Sequence, residues 1–164
     1  VPTILNAGRI ESTKGDFRYY VEGITPTVAK VIDVLDRERL AIAEALNVKG
    51  VFSAKDYVCK AYDLTGDTLY EVIQKNEGYK GVMAPNTVRH RFLFEDVPTG
   101  LVPFASLGSL LNVPTPLTEL IIELASTIVG TDLWQDGRTV EKMGLAGLSP
   151  QQITKLVTEG KLRH

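Results

Sequence analysis

Between Arg89 and Asp96 the chain sets two arginines around a histidine and follows them with two carboxylates: Arg89, His90, Arg91, Glu95 and Asp96. The next stretch, Val97 to Pro103, carries no charge at all. Two chemistries fit this pattern. A carboxylate that orients an imidazole makes a general acid/base pair, because it fixes the tautomer and favours the protonated ring. An arginine beside it can grip a carboxylate or phosphate in bidentate fashion. The plainer reading is a solvated ion pair: on a helix, Arg91 and Glu95 stand at i, i+4 and would face each other. Such a helix must end near Val97, because Pro98 restricts the residue before it. Spacing alone leaves both readings open.

The sequence lacks the signatures of several other chemistries. There is no G-x-G-x-x-G and no G-x-x-x-x-G-K-[ST], so the chain carries no nucleotide-binding unit of its own. H-E-x-x-H and G-x-S-x-G are also missing, and two histidines with one cysteine cannot supply a zinc site. Cys59, the single cysteine, excludes an internal disulfide and fits a reducing compartment such as the cytoplasm. Its position on a helix suits a small buried residue rather than a nucleophile. The formal net charge is -2 with scattered basic residues, so no footprint for nucleic acid is present. Leu117 to Val129 is the longest apolar run; it holds Glu119 and Glu123 and is too short to span a bilayer.

The elements that must position these groups read as helices. At 164 residues, 44% hydrophobic and 23% charged, the chain is one ordinary globular domain with room for a core. Thr25 is an N-cap with Pro26 behind it, and apolar residues recur at helical spacing until Asn47 to Gly50. Ser53 with Asp56 opens a helix to about Tyr62, and Thr68 to Lys75 reads as a short third. Asn76 to Val88 is an irregular connection. Pro103 starts a helix through Leu111, and Leu117 to Val129 forms another. Arg138 to Met143 reads as a short helical turn. Ser149, Pro150 and Gln152 begin a last helix that Gly160 stops. Thr3 to Leu5 and Phe17 to Val21 carry weak strand signals. The fold class expected is all-α.

Five stretches carry a family resemblance. "LNAGRIE" (Leu5 to Glu11), "YYVEGITPTVAKVIDVLDRERLAIAEAL" (Tyr19 to Leu46) and "HRFLFEDVPTGLVPFASLG" (His90 to Gly108) resemble the α-helical C-terminal domain of octopine/nopaline (opine) dehydrogenases. "VPTPLTELIIELAS" and "GRTVEKMGLAGLS" continue the likeness in the same order. The resemblance implies a compact multi-helix domain like the C-terminal domain of 6-phosphogluconate dehydrogenase. It also implies an NAD- or NADP-linked reaction in which a 2-keto acid condenses with an amino acid and hydride reduces the imine. In that family the acid/base is a histidine paired with an aspartate. Asp96, in its Glu-Asp-Val-Pro setting, matches the aspartate. Arg91 matches an arginine facing the substrate or cofactor anion.

The family's histidine lies just before the Leu-Asn-Ala-Gly stretch, so here it would precede Val1; His90 is a weaker substitute within the chain. The glycine-rich Rossmann domain would also precede Val1. The expectation is therefore that residues 1–164 are the second domain of a two-domain enzyme and are inert alone. The expected partners are that N-terminal domain, the two substrates and, compatibly, a second copy of the chain. Asn6 is either a substrate ligand at the domain junction or part of an Asn-Ala-Gly turn. Tyr19 and Tyr20 either line the cleft or fill the core. Thr99 and Gly100 either meet an anion at a helix start or simply cap it. Trp134 stacks on substrate or anchors its loop, and His164 is uninformative. Two rival readings are the helical domain of another dehydrogenase, such as a ketopantoate-reductase relative, and a non-catalytic interaction module.

Overall fold

The computed structural model describes residues 1–160, so His164 lies outside the described residues. Ten α-helices follow one another: α1 (Pro2–Leu5), α2 (Ala7–Thr13), α3 (Pro26–Ala45), α4 (Ala54–Tyr62), α5 (Leu69–Lys75), α6 (Arg91–Phe94), α7 (Val102–Leu111), α8 (Pro116–Val129), α9 (Leu133–Asp136) and α10 (Pro150–Glu159). No strand occurs among the described residues, and none of their helices is long and apolar enough to cross a membrane.

The caps read from the sequence are made. Thr25 accepts from Val28 N, Ser53 from Asp56 N and Thr68 from Glu71 N, each satisfying an orphan donor of the first turn. Ser149 and Gln152 close a reciprocal capping box on α10, and Gly160 ends it in the left-handed region at φ 70°.

α3 is the spine. Leu35 enters one core with Leu93, Val102 and Ile122, while Ala29 enters a second with Val58, Leu69 and Val72. Its polar side receives the starts of two other helices. Asp36 Oδ2 accepts from Ala54 N at 2.7 Å, the first residue of α4. Glu38 accepts from Leu117 N and Thr118 N, both at 2.9 Å, and from the Thr118 hydroxyl at 2.6 Å. Thr115, the residue at the N-cap of α8, makes no side-chain cap of its own. A carboxylate on one helix thus neutralises the positive end of another.

Four readings need correction. Thr3 to Leu5 is not a strand but α1, because Pro2 at the first helical position outweighs the β-branched propensity of so short a run. Phe17 to Val21 is not a strand either: Arg18 pairs with Met83 in one isolated bridge, and Glu22 N and Gly23 N then turn back onto Arg18 O. Arg138 to Met143 is a series of turns closed by Gly144 at φ 71° rather than a helix. Pro98 does not simply stop a helix. α6 ends at Phe94, and Val97 to Leu101 then makes a π turn that runs straight into α7. Proline in an α-helix removes one hydrogen bond and strikes the carbonyl four residues back; the wider π turn relieves that clash. Two short helices carried no periodic signal. α2 is ended by Lys14 in the left-handed region at φ 55°, and α9 is capped by the Asp132 carboxylate, which accepts from Trp134 N and Gln135 N.

Candidate active site

Asp96 leads into the π turn and stays exposed, with no hydrogen bond or ion pair among the described residues. It lies at the edge of a cleft of about 150 Å³ lined by Val1, Pro2, Thr3, Tyr19, Tyr20, Phe92 and Asp96. Three separate parts of the chain build this cleft: α1, the bridged segment after Phe17, and α6 with the turn behind it. The walls are aromatic. Tyr19 is 4% exposed, stacks on Phe92 at 5.2 Å and 20°, and meets Tyr20 edge-on at 5.2 Å. Its hydroxyl shares a 2.6 Å hydrogen bond with the buried Thr3 hydroxyl. Burial pushes the Tyr19 phenol up to about 12, and the Asp96 charge adds to the effect; Tyr20 is raised for the same reasons, burial first. Both phenols therefore stay neutral at ordinary pH. The cleft offers one carboxylate and three rings, and no basic side chain lines it. A carboxylate beside aromatic faces suits a cation or a protonated base.

The other predicted site residues are placed as follows. Tyr20 lines the cleft with Asp96, although the two stand far apart in sequence. His90 turns elsewhere: its Nδ1 accepts from Phe92 N at 3.4 Å, and its ring meets Phe92 edge-on at 4.5 Å, so it caps α6. Arg91 forms the plain ion pair, 3.5 Å from Glu95, with both side chains more than half exposed. Asn6 bridges α1 and the following loop, its amide donating to Pro2 O at 2.8 Å and Gly23 O at 2.9 Å. Both amide hydrogens are thus spent on backbone. The Thr99 hydroxyl donates to Glu95 O at 2.7 Å, and Gly100 sits inside the π turn rather than at a free helix start. Trp134 packs against the first core and half-buried Cys59 against the second.

Sequence reasoning missed four residues that line this cleft: Val1, Pro2, Thr3 and Phe92. Thr3 was hidden by its apparent strand, and Phe92 by the charges around it. Only the alternation of Phe92 and Phe94 with buried Leu93 hinted that α6 turns a ring each way.

The residues present do not form a dinucleotide site. No glycine-rich phosphate loop occurs in the sequence, and no strand–helix unit exists among the described residues.

Known proteins resemble this chain in sequence and in fold. The family model described as "NAD/NADP octopine/nopaline dehydrogenase, alpha-helical domain" matches residues 1–129. An opine dehydrogenase of Arthrobacter sp. (strain 1C) is 43% identical over 157 residues, covering 96% of this chain and 43% of the relative. A vitopine synthase of Allorhizobium ampelinum is 31% identical over 136 residues, covering 83% of this chain and 37% of that protein. The chain thus spans less than half the length of these relatives. Among solved structures, octopine dehydrogenase with NADH and L-arginine superposes with a TM-score of 0.73 at 20% identity, covering 99% of this chain and 47% of the other. Octopine dehydrogenase with NADH and agmatine gives 0.74 at 19% identity, with the same coverage. At that identity the two structures establish a shared fold. The likeness to the 6-phosphogluconate dehydrogenase domain rests on the sequence resemblance alone. With its helices, its Asp96 segment and the matched residues together, the chain belongs to the octopine/nopaline dehydrogenase family, as its alpha-helical domain.

Proposed function

We propose that this chain is the helical half of an enzyme that joins a 2-keto acid to an amino acid and reduces the product with NADH or NADPH. The observation that carries the reading is the cleft in which Asp96 stands free of any partner beside Tyr20 and Val1. Val1 lines the same cleft as Asp96, so a chain entering at Val1 would pass close to the carboxylate. A histidine preceding Val1 in the longer protein would reach Asp96 there.

In this reading the amino group attacks the keto carbon, water leaves, and the resulting imine accepts hydride at carbon. The histidine moves the proton at the carbonyl oxygen, and Asp96 orients its ring and favours the protonated form. Tyr19, Tyr20 and Phe92 exclude water from that face. Arg91 is exposed enough to exchange Glu95 for a substrate or cofactor anion supplied across the domain boundary. The dinucleotide belongs to an N-terminal domain, because residues 1–160 offer it no cradle.

The test is oxidation of NAD(P)H by the longer protein containing this chain, given pairs from a panel of 2-keto acids and amino acids. Turnover should require both substrates. In Asp96→Asn, kcat should fall by about 100-fold or more with dinucleotide affinity retained. Absence of turnover with every pair, or an Asp96→Asn variant as active as its parent, would overturn the proposal.

A further inference from the structure

The cleft wall is itself held by a second row of rings. From the cleft outward the centroids run Tyr19 to Tyr20 at 5.2 Å, Tyr20 to Tyr79 at 4.2 Å, and Tyr79 to Tyr62 at 5.5 Å. The closest contact is that of Tyr20 with Tyr79, whose planes differ by only 18°. Tyr20 makes no side-chain hydrogen bond among the described residues, so packing sets its orientation: the neighbouring rings and the edge of the second core. Tyr79 does not line the cleft.

The segment that carries Tyr79 is fixed with care. It ends a single 3₁₀ turn, Glu77–Tyr79, capped by Asn76, whose Oδ1 accepts from Gly78 N at 3.0 Å; Asn76 is 2% exposed. On one side, Gln74 Nε2 donates to Val21 O at 3.0 Å, tying α5 to the residue after Tyr20. On the other, Tyr19 N donates to Val82 O at 2.7 Å. The two backbones are thus clasped on either side of the ring stack. A flat contact clasped in this way restricts how Tyr20 can swing towards or away from Asp96.

We propose that Tyr79 is a positioning residue: by stacking on Tyr20 it fixes the aromatic wall against which the amino-acid substrate packs opposite Asp96. This rests on the reaction proposed above. Tyr79 touches no substrate; it acts through Tyr20, and its hydroxyl is dispensable to that role.

Three variants of the longer protein test it: Tyr79→Leu, Tyr79→Phe and Ile73→Val, the last a buried residue of the same core that does not line the cleft. In Tyr79→Leu the amino-acid KM should rise about threefold to tenfold while kcat stays within about twofold, because a ground-state wall contributes uniform binding. Tyr79→Phe should restore the parent KM. Ile73→Val should lower thermal stability without moving KM. A second readout needs no turnover: with ¹³C-labelled tyrosine rings, the Tyr20 resonances should shift in Tyr79→Leu and hold in Tyr79→Phe. Unmoved Tyr20 resonances in Tyr79→Leu, an unchanged KM, a Tyr79→Phe variant as impaired as Tyr79→Leu, or an equal KM rise in Ile73→Val would each overturn the proposal. Should the parent turn over no substrate pair, the reaction proposal fails by itself, and the ring resonances still decide whether Tyr79 holds Tyr20.

Discussion

Replacing Glu38 by alanine should unfold this protein more readily than any cap substitution that sequence alone would suggest. α8 begins with Pro116, which has no N–H, so the exposed donors of its first turn are Leu117 N and Thr118 N. Both go to Glu38, and the Thr118 hydroxyl makes a third bond to the same carboxylate at 2.6 Å. Hydrogen bonds to a charged acceptor contribute about 1.5–3 kcal/mol each when removal leaves the donor buried. Glu38 is only half-buried, so water would recover part of that loss. A lost N-cap alone costs about 1 kcal/mol, and the second donor and the hydroxyl raise the total for Glu38→Ala to about 2–4 kcal/mol. In a chain of this size that lowers Tm by about 5–15 °C. Glu38→Gln keeps one acceptor oxygen and should fall between the two. Thr115→Val is the informative contrast. Thr115 occupies the N-cap position but caps nothing, and its hydroxyl goes only to the Glu119 side chain. Urea and thermal unfolding followed by far-ultraviolet circular dichroism would measure all three. A Glu38→Ala variant within about 0.5 kcal/mol of its parent, or a Thr115→Val variant less stable than Glu38→Ala, would refute capping from across the fold.

Two other perturbations follow from the same packing. Gly137 has an ordinary backbone (φ -70°), yet a methyl group there would lie 2.3 Å from Val102 Cγ1. Gly137→Ala should therefore destabilise by about 2 kcal/mol through overpacking alone, and trimming the neighbour in Val102→Ala should rescue part of that loss in denaturant titrations of the double variant. Tyr19 titrates at about 12 in the fold against an ordinary 10, so its contribution is complete below about pH 10 and disappears as pH rises towards 12. Tyr19 alone should account for about 2–3 kcal/mol of the parent's loss over that window, and Tyr19→Phe, which cannot ionise, should lose less by about that amount when urea midpoints are compared at pH 9 and pH 12.

What the sequence made legible is local. The caps at Thr25, Ser53, Thr68 and Ser149 form within three residues of themselves, so their chemistry is written where it acts. α1, α2 and α9 are too short to show a period, and α9 depends on the single Asp132 carboxylate. The Glu38 cap joins residues 79 and 80 apart, which no spacing rule reaches. Asp96 and Tyr20 could be suspected of sharing a site only through the family resemblance, and the cleft is where they meet. Arg91 and His90 show the opposite case. Their charges drew attention, yet in this chain one pairs with Glu95 on the surface and the other caps a helix. Tyr79 gave no signal at all, because an aromatic in an irregular connection looks like any other.

The π turn between α6 and α7 also sets how the two helices are phased. Pro98 lies within the π turn, where the wider winding spares its ring the carbonyl four residues back, and Pro103 stands in the first turn of α7, where a missing N–H costs nothing. Every residue of an α-helix advances the chain by about 100° around its axis. Deleting one residue from Val97 to Leu101 would rotate the whole of α7 by about that angle relative to Asp96. Val102, Ala105 and Gly108 would swing off the core, and Gly108 would lose its close seat against Thr115. The stretch is therefore length-locked: side chains at its exposed positions, such as Thr99, can be exchanged, but a one-residue gap there changes which face of α7 the protein buries and where Asp96 points.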